Sequence, residues 1–366
     1  MRVLVIGAGV AGISAAIACA RAGMAVTLVE RAAAWPALGA GITITGPTLR
    51  AMERLGILEG VRERGHTADG IVIHAQDGRV LSRIETGAGE TGGAGGILRS
   101  VLQGLLVEQV ERLPVAVRLG ETVAVEPGAG GVRALFASGE AHRYDLVIAA
   151  DGIHSATRRA LFPEAPGPVP TGQGCWRLMG PTPRGVDRRV YFLGGPLKVG
   201  MTPVSAGGMY MFVLEPGIRR RVASGAEAAT ALAALVADYG GPVAEVRAAI
   251  TPDSHIVYRP LETVLAPWPW HRGRVLLIGD AAHATTPQLA SGAGMAIEDG
   301  LVIAECLASA PDVDGALEAF IARRYPRCKL VVEKSVELGR LEMARAAPER
   351  NQAVIEHALA ALAEPY

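Results

Sequence analysis

The first thirty residues carry the pattern that most constrains the fold of this chain. A continuous β-prone run, Val3–Ile6, leads directly into three closely spaced glycines, and good helix formers follow at Ile13–Ala22. A second β-prone run, Ala25–Val29, comes next and is followed at once by Glu30. This order of strand, glycine turn, helix, strand and acid predicts a βαβ unit of the doubly wound, Rossmann-like type.

The glycine spacing, Gly7-x-Gly9-x-x-Gly12, has a physical meaning at each position. Gly7 permits a tight turn, Gly9 lets the backbone approach a pyrophosphate, and Gly12 lets the helix pack on the sheet. The helix N-terminus then faces the phosphates, and Glu30 can accept a hydrogen bond from a ribose hydroxyl. We therefore predict a dinucleotide site. On this segment alone, an NAD-binding dehydrogenase is an open alternative.

Composition excludes several classes of protein. The 366 residues are half apolar, which suits one large α/β domain carrying a smaller second one. The 36 basic residues are balanced by 36 acidic ones without a basic block, which argues against a nucleic-acid partner. Four scattered cysteines predict reduced thiols and no metal site. No stretch has the pattern of a signal peptide or the length of a membrane span, so we expect a cytoplasmic protein without a membrane partner. The oligomeric state is left open.

Two later segments place an acid after a buried strand. Asp151 follows the apolar run Asp145–Ala150, and its side chain could contact a ligand or cap a helix. Asp280 follows the run Arg274–Ile278 and could accept hydrogen bonds from sugar-like hydroxyls. The amides of Gly292–Gly294, at the positive end of a predicted helix, could hold a developing anion.

Arg99 begins a predicted helix after the glycine-rich stretch Gly87–Gly96. It is either a solvated surface residue or a contact to a phosphate or ribityl group. The motifs together resemble the flavoprotein aromatic hydroxylases, the family of para-hydroxybenzoate, salicylate and urate hydroxylases, from residue 1 to about residue 345. The matching pieces are GAGVAG, Glu30-Arg31, the Arg99 helix, DGIHSATR and GDAAHATTPQLASGAGMAIED.

The resemblance implies FAD as cofactor, with adenosine and pyrophosphate on the first glycine turn. It places Glu30 on the ribose, Arg31 beside the adenine, and the backbone of Val123 near the adenine. It also implies that Asp151 serves both FAD and a transient NAD(P)H. Further positions along the cofactor would be Arg99 and Asp280 near the pyrophosphate and ribityl chain, and Thr43, Gly292, Ala293 and Gly294 along the flavin.

Residues 170–215 alternate short β-prone runs with Gly/Pro turns, which predicts an antiparallel sheet over the flavin as the roof of a substrate pocket. Tyr210 and Phe212 share one face of its last strand, where the alternative is plain sheet core. The stretch from Lys198 to Tyr210 is most similar to the urate-hydroxylase branch. There the position of Tyr210 is a substrate-site tyrosine and that of Lys198 is an arginine. Lysine lacks the planar two-pronged donor of arginine, which argues against urate itself.

We therefore predict an α/β chain with an inserted sheet domain and C-terminal helices. The Rossmann-like FAD-binding domain would comprise residues 1–69, 97–168 and 265–366. The mixed or antiparallel substrate-binding sheet would comprise residues 70–96 and 169–264. The closing helices are expected at 300–309, 313–345 and 348–362.

By the same resemblance, NAD(P)H reduces the flavin, and O2 then forms a flavin hydroperoxide that hydroxylates a small aromatic or N-heteroaromatic ring. Pro287 would lie near the ring where O2 reacts, and Tyr210 and Lys198 would orient the substrate or help to deprotonate it. The alternatives are a flavin epoxidase, halogenase or reductase on the same scaffold, a NAD-linked dehydrogenase, and a flavin-carrying binding protein without turnover.

Overall fold

The computed structural model describes residues 1–35, 39–85, 93–218 and 225–366. Residues 87–92 of the predicted glycine-rich stretch lie outside that part. The strands are β1 Arg2–Ile6, β2 Ala25–Glu30, β3 Gly41–Ile44, β4 His66–Ala68, β5 Ile71–Ala75, β6 Val80–Ile84, β7 Ala94–Leu98, β8 Val115–Leu119, β9 Val123–Gly128, β10 Gly131–Phe136, β11 Ala141–Tyr144, β12 Leu146–Ala149, β13 Val169–Pro181, β14 Arg189–Leu193, β15 Lys198–Pro203, β16 Gly208–Pro216, β17 Ile256–Thr263, β18 His271–Arg272 and β19 Val275–Leu277.

The helices lie between and after these strands in the sequence. They are α1 Val10–Arg21, α2 Gly46–Arg54, α3 Leu58–Arg64, α4 Arg99–Glu111, α5 Ala156–Leu161, α6 Ala226–Leu235, α7 Pro242–Ala248, α8 Asp280–His283, α9 Gly292–Ser309, α10 Val313–Met343 and α11 Pro348–Ala363, with a short 3-10 turn at Pro287–Leu289. In the described part of the chain, no helix is both long and apolar enough to cross a bilayer.

A six-stranded sheet in the order β18-β19-β12-β1-β2-β8 forms the centre of the molecule. Four of its five strand pairings are parallel, and only β18 pairs antiparallel, with β19. Strand β1 lies between β2 and β12, as expected of a doubly wound sheet. Val3, Leu4 and Val5 are fully buried, because helices and a second layer cover both faces of the strand.

The predicted second sheet has seven strands in the order β17-β13-β16-β15-β14-β5-β6. Strands β13 to β16 pair antiparallel as expected, whereas β5 joins β14 in parallel, so the sheet is mixed. One face, with Met211 and Val213, packs on α6 and α7. The opposite face carries Tyr210, Phe212 and Leu214, as the alternation predicts.

A strand that the sequence analysis missed, β7, pairs with β3 and β4 in a small third sheet. Its glycines do not predict a strand, because glycine weakens strand interiors. The structure shows that glycine is required there because neighbouring atoms approach the backbone closely. A Cβ on Gly95 would lie 1.8 Å from the carbonyl oxygen of His66, and one on Gly96 would lie 2.6 Å from Thr202 Cγ2. The small sheet therefore packs tightly against β15 of the seven-stranded sheet.

Helix α9 begins at Gly292, so the Gly292–Gly294 amides form its first turn as the motif predicts, and the span expected at 300–309 is the second part of the same helix. The two following helices match the expected spans within two residues. Gly300 instead marks the crossing of α9 with α1, where a Cβ would lie 2.5 Å from Ala15 N. The backbones of the two helices thus meet directly.

We expect Gly300→Ala to lower the free energy of unfolding by about 1–3 kcal/mol, because the added methyl would force the two backbones apart. Gly104→Ala is the matched control, since it also lies within a helix and its Cβ would meet nothing within 4 Å. That change should stabilise the protein by about 0.5–1 kcal/mol. Denaturant unfolding of both variants checks the pair, and a neutral Gly300→Ala would contradict the crossing.

Candidate functional site

In the first glycine turn, two glycines are packed against neighbouring backbone, and the third, Gly9, has free space beside it. Gly7 adopts φ +98, and a Cβ there would lie 2.4 Å from the carbonyl oxygen of Ala150. A Cβ on Gly12 would lie 1.8 Å from the carbonyl oxygen of Gly7. On Gly9 it would meet nothing within 4 Å. The turn is therefore packed on its inner side and open at Gly9, which fits the approach of a pyrophosphate.

Glu30 holds this turn from the end of β2. Its carboxylate accepts hydrogen bonds from the backbone N–H of Ala8 at 2.8 Å and of Ala32 at 2.9 Å. Carboxylate oxygens have further lone pairs, so a ribose hydroxyl can still donate to it. The N–H of Glu121 donates to the Glu30 carbonyl at 3.0 Å, which brings the start of β9 at Val123 near this corner. The side chain of Arg31 is exposed here.

Arg99, at the first position of α4, faces the interior between the two large sheets. Burial and the nearby Arg177 guanidinium lower its pKa, while the Asp280 carboxylate partly compensates. The side chains of Arg99, Arg177 and Asp280 make no hydrogen bond to any described residue. Two cations without a bonded partner among the described residues, one of them desolvated, lie beside one exposed acid, and this arrangement favours an anionic ligand.

The side chain of Asp151 supports the N-terminus of α5, whose N-cap residue is Ser155. It accepts hydrogen bonds from Ser155 Oγ and from both the N–H and Oγ1 of Thr157, the latter two at 3.0 Å. Gly152, with φ +81, instead faces open space. The Asp151 carboxylate is therefore engaged at the start of α5, as the capping alternative predicts. The backbone of Gly152 is the part of this segment that is open to a ligand. Arg158 joins this element to the Asp280 turn by donating to the Ala281 carbonyl at 2.7 Å.

Tyr210 links the seven-stranded sheet to the small sheet. Its hydroxyl forms a short hydrogen bond with Thr43 Oγ1, which lies 3.4 Å from Thr202 Oγ1. Its ring packs on Gly41, where a Cβ would lie 2.2 Å from Cδ1, and lies 6.2 Å from the Phe212 ring. Burial raises the pKa of Tyr210. The phenol therefore stays protonated and can donate a hydrogen bond, but it is a poor base.

Lys198 is not a free cation. Its Nζ donates to Glu342 Oε1 of α10 at 2.6 Å, and Gln288 Nε2 contacts the other oxygen of Glu342 at 3.3 Å. Gln288 follows Pro287, which is exposed at the start of the 3-10 turn. The structure thus brings two of the predicted residues, Lys198 and Pro287, to one place and adds an acid between them.

A network of buried charged side chains holds the backbone next to Asp280 in place. Asp299 of α9 accepts from Gly279 N at 2.8 Å, from His283 Nε2 at 2.6 Å and from Arg324 Nε at 2.8 Å. Arg324 also donates to Glu298 Oε2 at 2.6 Å. All these side chains are at most 4% exposed. The network joins α8, α9 and α10, and it fixes the backbone of Gly279, one residue before Asp280.

The network also sets the charge of its members. Burial alone would lower the pKa of His283, but Cys328 and the Asp299 carboxylate outweigh it and raise that pKa well above its usual range. For Asp299, burial raises the pKa, yet His283 and Arg324 bring it to about 2. His283, Asp299 and Cys328 have donor atoms within 4.8 Å of one another, a spacing that metal ligands also have. The positive charge that a metal ion would bring is here supplied by Arg324, which contacts both Asp299 and Cys328.

Three residues of the site were missed from the sequence. Arg177 could have been noticed as a cation on the same alternating face of β13 as Cys175. Arg324 and Glu342 look like ordinary charged residues of a long helix, and only tertiary contact shows their partners.

His283→Gln should remove a pH dependence of stability. A group whose pKa is raised by folding contributes fully below its unfolded value of about 6.5, and this contribution is lost as the pH rises through the folded pKa. The stability advantage of the wild type over the variant should fall above pH 6.5, by up to about 1.4 kcal/mol per pH unit. Denaturant unfolding between about pH 6.5 and 9 measures this. The exposed His154→Gln is the control, and parallel curves for wild type and His283→Gln would contradict the assignment.

Comparison with known proteins identifies the family of the chain. A family model described as FAD binding domain matches residues 1–335. The chain is 34% identical over 347 residues to 2-heptyl-3-hydroxy-4(1H)-quinolone synthase of Pseudomonas aeruginosa (strain UCBPP-PA14), covering 93% of this chain and 89% of that one. It is 33% identical over 354 residues to 3-amino-4-hydroxybenzoate 2-monooxygenase PtnB3 of Streptomyces platensis, covering 92% and 87%.

Among solved structures, Klebsiella pneumoniae HpxO complexed with FAD and uric acid superimposes with a TM-score of 0.85 at 26% identity, covering 100% of this chain and 93% of that one. The match extends over both large sheets and the C-terminal helices. The chain belongs to the FAD binding domain family, and it is an FAD-dependent monooxygenase of the aromatic-hydroxylase type.

Proposed function

We propose that this enzyme uses NAD(P)H and O2 to hydroxylate a small aromatic or N-heteroaromatic compound. The observation that carries the proposal is the position of Tyr210. Its ring lies on the sheet face opposite α6 and α7, which also carries Arg177, and its hydroxyl reaches Thr43. A sheet face with aromatic side chains thus meets the residues suited to FAD. Related proteins named for a quinolone and an aminohydroxybenzoate support a ring substrate.

The residues present fit FAD. The open Gly9 turn would take the pyrophosphate, Glu30 a ribose hydroxyl, and Arg99 with Asp280 the middle of the cofactor. The N–H groups of Gly292, Ala293 and Gly294 form the first turn of α9 and have no acceptor within the helix, so they could donate to a flavin carbonyl. When bound, FAD supplies hydride acceptance and oxygen activation, and the protein supplies binding, orientation and exclusion of water.

The protein side of the reaction would be carried by the sheet face and the Pro287 turn. Tyr210, held protonated by burial, would donate to a ring oxygen while Thr43 and Thr202 fix its hydroxyl. Phe212 would keep water from the reacting ring, which protects an oxidising site from wasteful side reactions. The exposed Pro287 would border the same space, and Gly152 would offer open backbone to the nicotinamide.

Other functions account less well for these residues. A NAD-linked dehydrogenase would leave Arg99, Arg177 and the α9 amides without a ligand. An epoxidase, halogenase or reductase would use the same FAD residues, and the names of the related monooxygenases favour hydroxylation over these. The four cysteines are free and buried, which supports a reducing, cytoplasmic environment.

The direct test combines cofactor, reductant and product. The purified protein should show a bound-FAD spectrum, and a panel of phenols and ring N-heterocycles should accelerate NAD(P)H oxidation. Mass spectrometry should then find one oxygen atom from ¹⁸O2 in the product. Rapid NAD(P)H oxidation that yields no oxygenated ring from any member of the panel would overturn the proposal.

Asp280→Ala should weaken FAD binding without unfolding the protein. Loss of charge-assisted hydrogen bonds to the cofactor costs roughly 1.5–3 kcal/mol, which lowers affinity about ten- to a hundred-fold. Titration of apoprotein with FAD, followed by fluorescence, measures the change. Asp253→Ala removes another exposed carboxylate, in the turn before β17, and is the control. Unchanged affinity in a folded Asp280→Ala protein would show that this carboxylate does not contact FAD.

Tyr210→Phe should separate substrate orientation from cofactor binding. The variant keeps the ring but loses the hydroxyl that bonds Thr43. We expect normal FAD content, less hydroxylated product per NAD(P)H, and more hydrogen peroxide. Tyr239→Phe is the matched control, because it removes a hydroxyl bonded to Leu197 in the core on the opposite face of the sheet. Normal coupling of NAD(P)H to product in Tyr210→Phe would return Tyr210 to a purely structural role.

A further inference from the structure

Four polar side chains form a cluster where the seven-stranded sheet meets the Pro287 turn. We call Gln173, Lys198, Gln288 and Glu342 the polar cluster. Lys198 pairs across the sheet with Leu214, and Gln173 lies two residues before Cys175, which pairs with Leu214 from the other side. Both therefore lie on the face of Tyr210 and Phe212.

The polar cluster has no net charge. Lys198 Nζ lies 2.6 Å from Glu342 Oε1, and the two side chains are only 24% and 15% exposed. Gln288 Nε2 donates to Gln173 Oε1 at 3.0 Å and to Glu342 Oε2 at 3.3 Å. Both partners of this nitrogen are acceptors, so the orientation of the Gln288 amide is determined.

One acceptor of the polar cluster is left over. The Oε1 atom of Gln288 is buried and has no hydrogen-bond partner among the described residues. A buried carbonyl oxygen without a donor is costly, and a ligand that brings an N–H or O–H group would relieve that cost. Together with the Glu342 carboxylate, the cluster presents acceptors to a ligand rather than a free cation.

We propose that Glu342 is a specificity-determining residue, which makes the site select uncharged rings bearing an N–H or O–H donor and discriminate against ring carboxylates. The inference rests on the proposed function. A substrate carboxylate near Lys198 would meet a cation already paired and would be placed beside the negative charge of Glu342, whereas like charges at close range weaken binding. Of the ring chemistries named for the two related proteins, the polar cluster suits the quinolone better than the benzoate.

The test compares two probes that differ only in charge. 4-Hydroxybenzamide and 4-hydroxybenzoate share one ring, and isothermal titration of the FAD-loaded protein gives a Kd for each. We expect the wild type to bind the amide at least about tenfold more tightly. Glu342→Gln releases Lys198 for an anion, so this ratio should fall by about tenfold or more. Glu337→Gln, which removes a carboxylate paired with Lys334 on the outside of the same helix, should leave the ratio unchanged.

A second variant keeps the inference testable if Glu342→Gln does not retain FAD. Lys198→Met leaves Glu342 without its counter-ion, so discrimination against the benzoate should increase. An unchanged ratio in either FAD-loaded variant overturns the inference, as does a wild type that prefers the benzoate, which would indicate capture at Arg177 instead. Failure to bind either probe, when 4(1H)-quinolone also fails, overturns it as well. Because these are binding measurements, they remain informative even if no ring is hydroxylated and the proposed function fails.

Discussion

Arg324 and Arg327 of α10 face Glu298 and Asp299 of α9 in the interior, and the position of the Asp280 turn depends on this contact. Breaking a buried pair by removing one partner typically costs about 3–5 kcal/mol, because the other charge is left desolvated. Asp299 uses its remaining oxygen for Gly279 N and His283, so the same carboxylate that pairs with Arg324 also shapes the turn. Stability and site geometry therefore share one set of bonds.

The candidate site is assembled from elements far apart in the chain. The open Gly9 turn comes from the central sheet, Thr43 from the small sheet, and Tyr210 from the seven-stranded sheet. The close approach of Gly41 to the Tyr210 ring and of Gly96 to Thr202 brings the small sheet against the seven-stranded sheet. The face of the seven-stranded sheet at this junction carries Arg177 beside Phe212 and Tyr210, and Arg99 lies nearby, which suits a charged cofactor next to a ring substrate.

Several expectations about single elements were confirmed, because interactions between residues close in sequence determine these elements. The βαβ unit follows from buried apolar runs around a glycine turn, and the face shared by Tyr210 and Phe212 follows from strand alternation. The helix that the motif predicted at Gly292–Gly294 was confirmed, and the closing helix expected at 300–309 is the second part of this same helix. Strand β7 was missed because glycine disfavours strands, whereas its glycines are required by the close approach of neighbouring residues.

The sequence by itself determined the family, the cofactor and the N-terminal βαβ unit, since these depend on motifs whose spacing is read along the chain. Only the tertiary structure decided which charged side chains of the site pair with one another. Lys198 and Glu342 are 144 residues apart, and Asp299 and Arg324 are 25 apart on different helices. No periodicity relates such pairs. Whether a lysine acts as a free cation or as half of an ion pair depends on which side chain folds against it, and that contact exists only in three dimensions.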